Sequence, residues 1–526
     1  MTPRDVDVVV VGSGFSGSIL AMILRRLGRS VVLLERGRHP RFAIGESSTP
    51  LASLLLEELA RTYDLPALFP FTKYGSWKRA HPDVACGLKR GFSFFRHERG
   101  RPFVAHPTHD NQLLVAASPN DDIGDVHWYR PDFDHFLVRE AVREGAEYRD
   151  GAEVDRFEPS ADGSVVEGRD ERGPFDVRAR LVVDATGSRG FLHRTLRLAE
   201  RALPGMPPTH ALYSHFTGVR PFAEVVPAAF GGPAPDGAPA PSPGTRRLPY
   251  PPDAAAVHHV LDGGWIWVLR FDNGITSAGL AATDALAAEL QLSDGAPAWQ
   301  RSLARHPSVA TQFAGATPAR EFTWAPRLSF ATSQVAGDGW VMLPSAAGIV
   351  DPLLSTGFPL TLLGVSRVAD AIARHWHDAP ALAGALAAYG RRTQAELDVT
   401  ARLVGALYRA FDDWPRFTAL AHLYFAAASY TESARRLGRP ALAGDAFLMS
   451  AHPTFGPALE RCLTRAATSD DVRDAITPVN VAGLMDDARQ NWYPCDAADL
   501  LAAAPKLDAT KDEVAAMLAR CGFTPS

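Results

Sequence analysis

Residues 8–35, VVVVGSGFSGSILAMILRRLGRSVVLLE, constrain the fold more than any other stretch of the chain. The four consecutive valines Val8 to Val11 read as a parallel strand buried on both faces, Gly12, Gly14 and Gly17 as a turn, Ser18 to Leu27 as a helix and Ser30 to Leu34 as the returning strand. In such a βαβ unit Gly12 permits the tight turn, Gly14 lets a pyrophosphate approach the backbone, and Gly17 lets the helix sit close on the sheet. Glu35 stands where a carboxylate holds the ribose hydroxyls of an adenosine. A strand before the glycines, a helix after them and an acid at the expected distance predict a dinucleotide site, without choosing NAD over FAD.

At 526 residues the chain has room for two or three domains. A net charge of -5 gives no electrostatic case for nucleic acid. The four cysteines Cys86, Cys462, Cys495 and Cys521 are scattered, form no CxxC pair, and read as reduced thiols with no metal site among them. The chain enters its first strand almost at once, so a signal peptide is not expected, and no window holds the eighteen or so apolar residues of a membrane span. A cytoplasmic enzyme without integral membrane association is the expectation.

Beyond Glu35, the loop RGRHPRFAIGESSTP leads to a helix from about Leu51 to Tyr63, with Ser48 or Thr49 as its cap before Pro50. Lys89 to Phe95, KRGFSFF, reads as a strand with Phe92 and Phe94 on one side, in a hairpin whose return begins at Phe103. Pro131 and Asp132 start a helix with Phe133, Phe136, Leu137 and Ala141 on one face. Ala179 to Gly187, ARLVVDATG, is a hydrophobic strand running into a small-residue turn, and returns to the first sheet. From Leu203 to Thr332 strands and long loops predict an antiparallel sheet, interrupted by an irregular or mobile loop over Ala228 to Pro252. Trp265 and Trp267 point the same way on a strand, and the adjacent His258 and His259 face opposite sides, so the two histidines cannot chelate one metal. Gly339 to Val365 reads as a strand, a small-residue turn and a long apolar helix, an anion-binding geometry. The remainder reads as helices, clearest over Ala401 to Leu437.

The GSGFSG turn, the GESSTP loop, the tripeptide WIW at Trp265 to Trp267 and AAGIVDPLLSTG from Ala346 to Gly357 together resemble the flavin-dependent halogenases, a branch of the FAD oxidoreductases built like para-hydroxybenzoate hydroxylase. The resemblance covers Val8 to about His375. It implies an α/β fold: a Rossmann-like FAD-binding domain over 1–200 and 333–377 with an inserted Lys89 hairpin, an antiparallel-sheet substrate domain over 201–332, and a C-terminal helical region over 378–526. It implies FAD held by Gly12, Gly14, Phe15, Ser16, Gly17, Glu35, Arg36, Glu46, Ser47, Asp184, Gly187, Asp351 and Gly357. Chloride or bromide would sit at Thr356 and Gly357, and Phe92, Phe94, Trp265 and Trp267 would line the substrate pocket.

In that family hypohalous acid reaches a lysine in a KxG context. Lys89 with Gly91 fits, as does Lys73 with Gly75, and Lys89 is preferred because its strand carries an aromatic face. Pro344 and Ser345 replace the usual glycine and aspartate, and Asp351 is the residue left to serve instead. Leu353 and Leu354 replace the glutamate of the tryptophan halogenases, which argues for a phenol, pyrrole or other activated ring, free or carrier-bound, over free tryptophan. No second GxGxxG is present for NAD(P)H, so a separate flavin reductase is the implied partner. The alternatives are an FAD-dependent monooxygenase or geranylgeranyl-reductase-like oxidoreductase, and a flavin-binding protein without catalysis of its own.

Overall fold

A computed structural model describes residues 4–160, 162–230 and 248–523, so the part of the expected Ala228 to Pro252 loop over 231–247 lies outside the described residues. The valine run forms the strand Arg4–Val11, flanked in parallel by Val31–Leu34 on one side and Gly173–Asp184 on the other. Glu147–Arg149 and Trp340–Met342 extend this parallel sheet at its two sides. Val8, Val9 and Val10 are fully buried, as strands covered on both faces must be. The helix after the glycines begins at Phe15, three residues earlier than its periodicity indicated, because Gly14 is already the N-cap. It packs beside the helices Arg130–Arg143 and Gly357–His375.

The second sheet runs Thr317–Pro318, Thr209–Thr217, Thr276–Thr283, Gly264–Arg270, Ala256–Leu261, Gly91–Arg96, Gln112–Ala116 and Trp492–Tyr493. It corrects two expectations. First, the strands of 201–332 pair antiparallel as expected, but the sheet does not end with them: Ala256–Leu261 meets Gly91–Arg96 in parallel, and Trp492–Tyr493 meets Gln112–Ala116 in parallel. Second, KRGFSFF is not one strand of an inserted hairpin. Cys86–Lys89 pairs with Asp125–Trp128 in a separate two-stranded ribbon, the chain turns at Arg90, and Gly91–Arg96 then enters the large sheet. The return strand is Gln112–Ala116, not the segment at Phe103. Gly87 accounts for the close crossing, since a Cβ there would lie 2.0 Å from the Arg270 carbonyl oxygen.

The long helices Ala379–Tyr408 and Trp414–Arg436 follow, together covering most of the stretch Ala401 to Leu437 that reads most clearly as helical. Among the described residues no helix is long and apolar enough to cross a membrane.

His258 and His259 do face opposite sides of their strand: the first stacks on Phe94, the second contacts His97 at 2.9 Å. Burial, and after it the Lys89 charge, pushes both His127 and His258 down to about 3. These rings stay neutral in the folded chain at pH values where the unfolded chain binds protons at 6.5 and below. Stability is therefore complete above pH 6.5 and falls as the pH drops toward the folded value, by roughly 1 kcal/mol for each ring at pH 5.5. Thermal melts between pH 7.5 and 5.5 are expected to record this loss, and His258→Asn to reduce its slope.

Candidate active site

The glycine turn fits a dinucleotide. Gly12 adopts a φ of +102°, and a Cβ on Gly17 would stand 1.9 Å from the Gly12 carbonyl oxygen, so both positions need glycine for the helix to lie against the turn. Glu35 is buried and already organised: its carboxylate accepts from the Ser13 amide at 3.1 Å, the Gly37 amide at 2.8 Å and Arg41 Nη2 at 2.8 Å. Burial pushes this carboxyl upward, but Arg41 and the two amides together hold it below the ordinary range. Arg36, which follows it, points to solvent.

Two guanidinium groups converge on Gly14. A Cβ there would meet Arg130 Nη2 at 3.3 Å and Arg41 Nη2 at 3.9 Å. Arg130 is fixed by a bidentate pair with Asp134, both bonds 2.7 Å, and donates to the Gly45 carbonyl at 2.8 Å. The buried Nε of Arg41 has no partner in the chain. An anion at the helix N-terminus between these two arginines satisfies the orphaned donor, so the residues present suit the pyrophosphate of FAD. Sequence reasoning missed both arginines, since neither sits in the motif; only the fold brings positions 41 and 130 to position 14. Phe15 extends the site as part of an aromatic trio with Trp128 and Phe358, at 5.3 and 5.0 Å. Ser16 is buried in the first helical turn behind it.

Asp184 does not reach this site. Its carboxylate is consumed within its own turn, accepting from the Thr186 amide at 2.8 Å and the Leu192 amide at 2.7 Å, while Gly187 provides the turn's left-handed step with a φ of +87°. Glu46 is likewise engaged, its carboxylate 2.7 Å from His215 Nε2 on the large sheet.

Lys89 is wholly buried at the end of the Cys86–Lys89 strand. Its ammonium donates to Ser47 Oγ at 2.9 Å and to the Ser48 carbonyl, lies 3.4 Å from Ser355 Oγ, and sits 3.8 Å from the centre of the Phe92 ring. Burial lowers its proton affinity, and the neighbouring Asp125 carboxylate partly restores it. Three separate stretches thus meet at one amine: the GESSTP loop, the KRGF segment and the STG turn. Lys73 is placed differently, its Nζ donating to the Cys521 carbonyl at 2.8 Å.

The stretch DPLLSTG from Asp351 to Gly357 is a strained loop. Leu354 and Ser355 both hold positive φ, +65° and +55°, before the long helix opens at Gly357 with Thr356 as its cap. A Cβ on Gly357 would face open space, so the backbone at the helix start is open on that side. Asp351 turns away from it. Its carboxylate accepts from the Leu353 amide at 3.0 Å and from the Tyr408 hydroxyl at 2.9 Å, and burial pushes it up to about 7. Trp265 completes this chain, with Nε1 3.2 Å from the Tyr408 oxygen, while Trp267 Nε1 donates to Ser277 Oγ at 3.3 Å.

A cavity of about 1240 Å³, its open mouth included, has Phe92, Asp125, Thr49, Tyr424, Phe425 and Lys73 in its wall, and so touches the neighbours of Lys89 rather than Lys89 itself. Of the four residues expected to line a substrate pocket, Phe92 does so. Phe94 is packed on His258 and Phe417, and Trp265 and Trp267 are core residues of the large sheet. The far wall comes from the helix Trp414–Arg436 and residues 481–523, which the sequence showed only as helical.

The description "FAD dependent oxidoreductase" fits residues 7–216. The chain is 28% identical over 425 residues to the monodechloroaminopyrrolnitrin halogenase PrnC of Pseudomonas fluorescens, covering 80% of this chain and 70% of that one. It is 29% identical over 365 residues to the tetracycline 7-halogenase of Kitasatospora aureofaciens, covering 68% of this chain and 61% of the relative. Among solved structures, the halogenase PltM in complex with phloroglucinol and FAD superposes with a TM-score of 0.71 at 22% identity, over 98% of this chain and 96% of that one, a likeness of fold. The turn geometry and the buried acid fit the FAD dependent oxidoreductase description over residues 7–216, and the chain is similar in sequence to flavin-dependent halogenases.

Proposed function

We propose that this protein is a FAD-dependent halogenase that uses reduced flavin, oxygen and chloride or bromide to halogenate an electron-rich ring of the phenol or pyrrole type, free or carrier-bound, in natural-product biosynthesis. The observation that carries this reading is the buried Lys89 ammonium, held by Ser47, Ser48 and Ser355 beside an aromatic-lined cavity. FAD would be held by the turn from Gly12 to Gly17, by Glu35 at its ribose, and by Arg41 and Arg130 at its pyrophosphate. Bound and reduced, it supplies the electrons with which oxygen converts halide to hypohalous acid. Thr356 and Gly357 would present backbone amides to the halide, next to the left-handed Leu354 and Ser355.

Lys89 acts on the halogen. Its N–H donates to the oxygen of the hypohalous acid and polarises the halogen toward the ring; alternatively its free amine, made more accessible by burial, carries the halogen as a haloamine. We assign reduced flavin to a separate reductase, the domains to the boundaries of the sequence reading, and the enzyme to the cytoplasm, in keeping with its free cysteines.

The test is mass spectrometry of a phenol and pyrrole panel incubated with protein, FAD, flavin reductase, NADH, oxygen and either halide. The expected result is a mass shift that changes from chlorine to bromine with the salt. Products that carry only added oxygen, whatever the halide, would make the protein a monooxygenase.

A further inference from the structure

The geometry points to Asp125 as the substrate-recognition residue of this site, accepting a hydrogen bond from an O–H or N–H group on the ring and so selecting phenols, pyrroles and anilines over rings without a donor. This rests on the halogenase reading above. Asp125 lies directly opposite Lys89 in the antiparallel ribbon, so the two side chains leave the same face. They form no ion pair: the ammonium turns to Ser47, Ser48 and the Phe92 ring, and Asp125 forms part of the cavity wall. Asp125 is 5% exposed; Oδ1 accepts from Ser53 Oγ at 3.1 Å, whereas the buried Oδ2 has no partner in the chain.

A buried carboxylate oxygen without a donor is costly, and a ligand that brings one recovers that loss. The two other carboxylates in the cavity wall are engaged: Glu432 by Arg436, 2.7 Å away and one helical turn on, and Asp496 by the Ala498 amide at 2.9 Å. Burial and the nearby Glu432 push the Asp125 carboxyl upward, which makes its ionised form a stronger acceptor. The ring gains positive charge as the halogen adds, and its O–H or N–H becomes a stronger donor. An acceptor aimed at that hydrogen therefore binds the transition state better than the ground state. With Lys89 and Asp125 on neighbouring strands, a ring anchored by its donor presents its activated carbon toward the lysine.

The experiment compares resorcinol with 1,3-dimethoxybenzene, and pyrrole with N-methylpyrrole, in bromide with FAD, flavin reductase, NADH and oxygen. It uses the wild type, Asp125→Ala and Asp125→Asn, reading kcat/KM for brominated product. Losing the acceptor is expected to lower resorcinol and pyrrole about a hundredfold in the alanine variant, and about tenfold in asparagine, which keeps one neutral acceptor. The methylated partners should change by less than about twofold, so the preference for the donor collapses; a disturbed fold would lower both members alike. Should the alanine variant fail to fold, the asparagine variant and the wild-type ratio decide. Equal losses for both members of each pair, or a wild type that brominates the methylated rings as efficiently, would overturn the assignment and leave the halogenase reading standing. Absence of brominated product from every ring with the wild type would instead remove that reading, and this one with it.

Discussion

In Lys89→Met, halogenated product is expected to fall on the order of a thousandfold while reduced flavin is still oxidised by oxygen, because a single donor positioned at developing charge carries that much of a barrier. Methionine keeps a stem of similar length and removes the ammonium that stands 3.8 Å from the centre of the Phe92 ring. The fold should survive: the lost group is a buried charge whose desolvation opposes folding, its hydrogen-bond partners Ser47, Ser48 and Ser355 are neutral, and the nearby Asp125, pushed up to about 7 by burial, can take up a proton. Thermal melting should shift little or upward, while product analysis separates loss of chemistry from loss of flavin turnover. If halogenation persisted in Lys89→Met and vanished in Lys73→Met, the reaction would belong to the part of the cavity wall that Lys73 forms, where its Nζ donates to the Cys521 carbonyl.

The second large effect lies at the glycine turn. Gly17→Ala places a methyl group 1.9 Å from the Gly12 carbonyl oxygen and 3.1 Å from the Ala185 Cβ, and the first contact is to backbone that cannot rotate away. The helix must lift from the sheet, which costs about 3 kcal/mol by analogy with overpacked cores and displaces the helix N-terminus from the pyrophosphate position. Purified Gly17→Ala is expected to carry little flavin absorbance and to melt well below the wild type. A variant purified with a full complement of FAD would show that the turn has slack that its geometry denies.

The parts of the molecule that could be read from sequence are those where a local pattern and a tertiary role coincide. Val8 to Glu35 is one: each glycine answers a steric need within a few residues, and burial on both faces shows directly as four valines. Thr49 is another, capping its helix through a 3.2 Å bond to the Ala52 amide as the Ser-Ser-Thr-Pro run suggested. What stayed hidden depends on contacts between distant positions. Arg41 and Arg130 become a pair only through their common approach to Gly14. Asp125 acquires meaning only from its register opposite Lys89, and nothing local marks it. The aromatic alternation of KRGFSFF misled in a specific way: Phe92 and Phe94 do share a face, but Arg90 breaks the strand, so the lysine and the phenylalanines belong to different sheets that meet at a corner.

The short strand Trp492–Tyr493 has a consequence for the handling of this protein. It completes the border of the large sheet by pairing in parallel with Gln112–Ala116, whose Leu113 and Leu114 are fully buried. Cutting the chain before it would do more than shorten a helical tail. It would strip a neighbour from a strand rich in leucine and valine and leave a row of unsatisfied amides and carbonyls open to pairing with another molecule. Fragments ending near residue 480 should therefore self-associate and precipitate even if the nucleotide-binding half folds correctly, and solubility in such fragments would return with a lysine or proline placed on the bared strand.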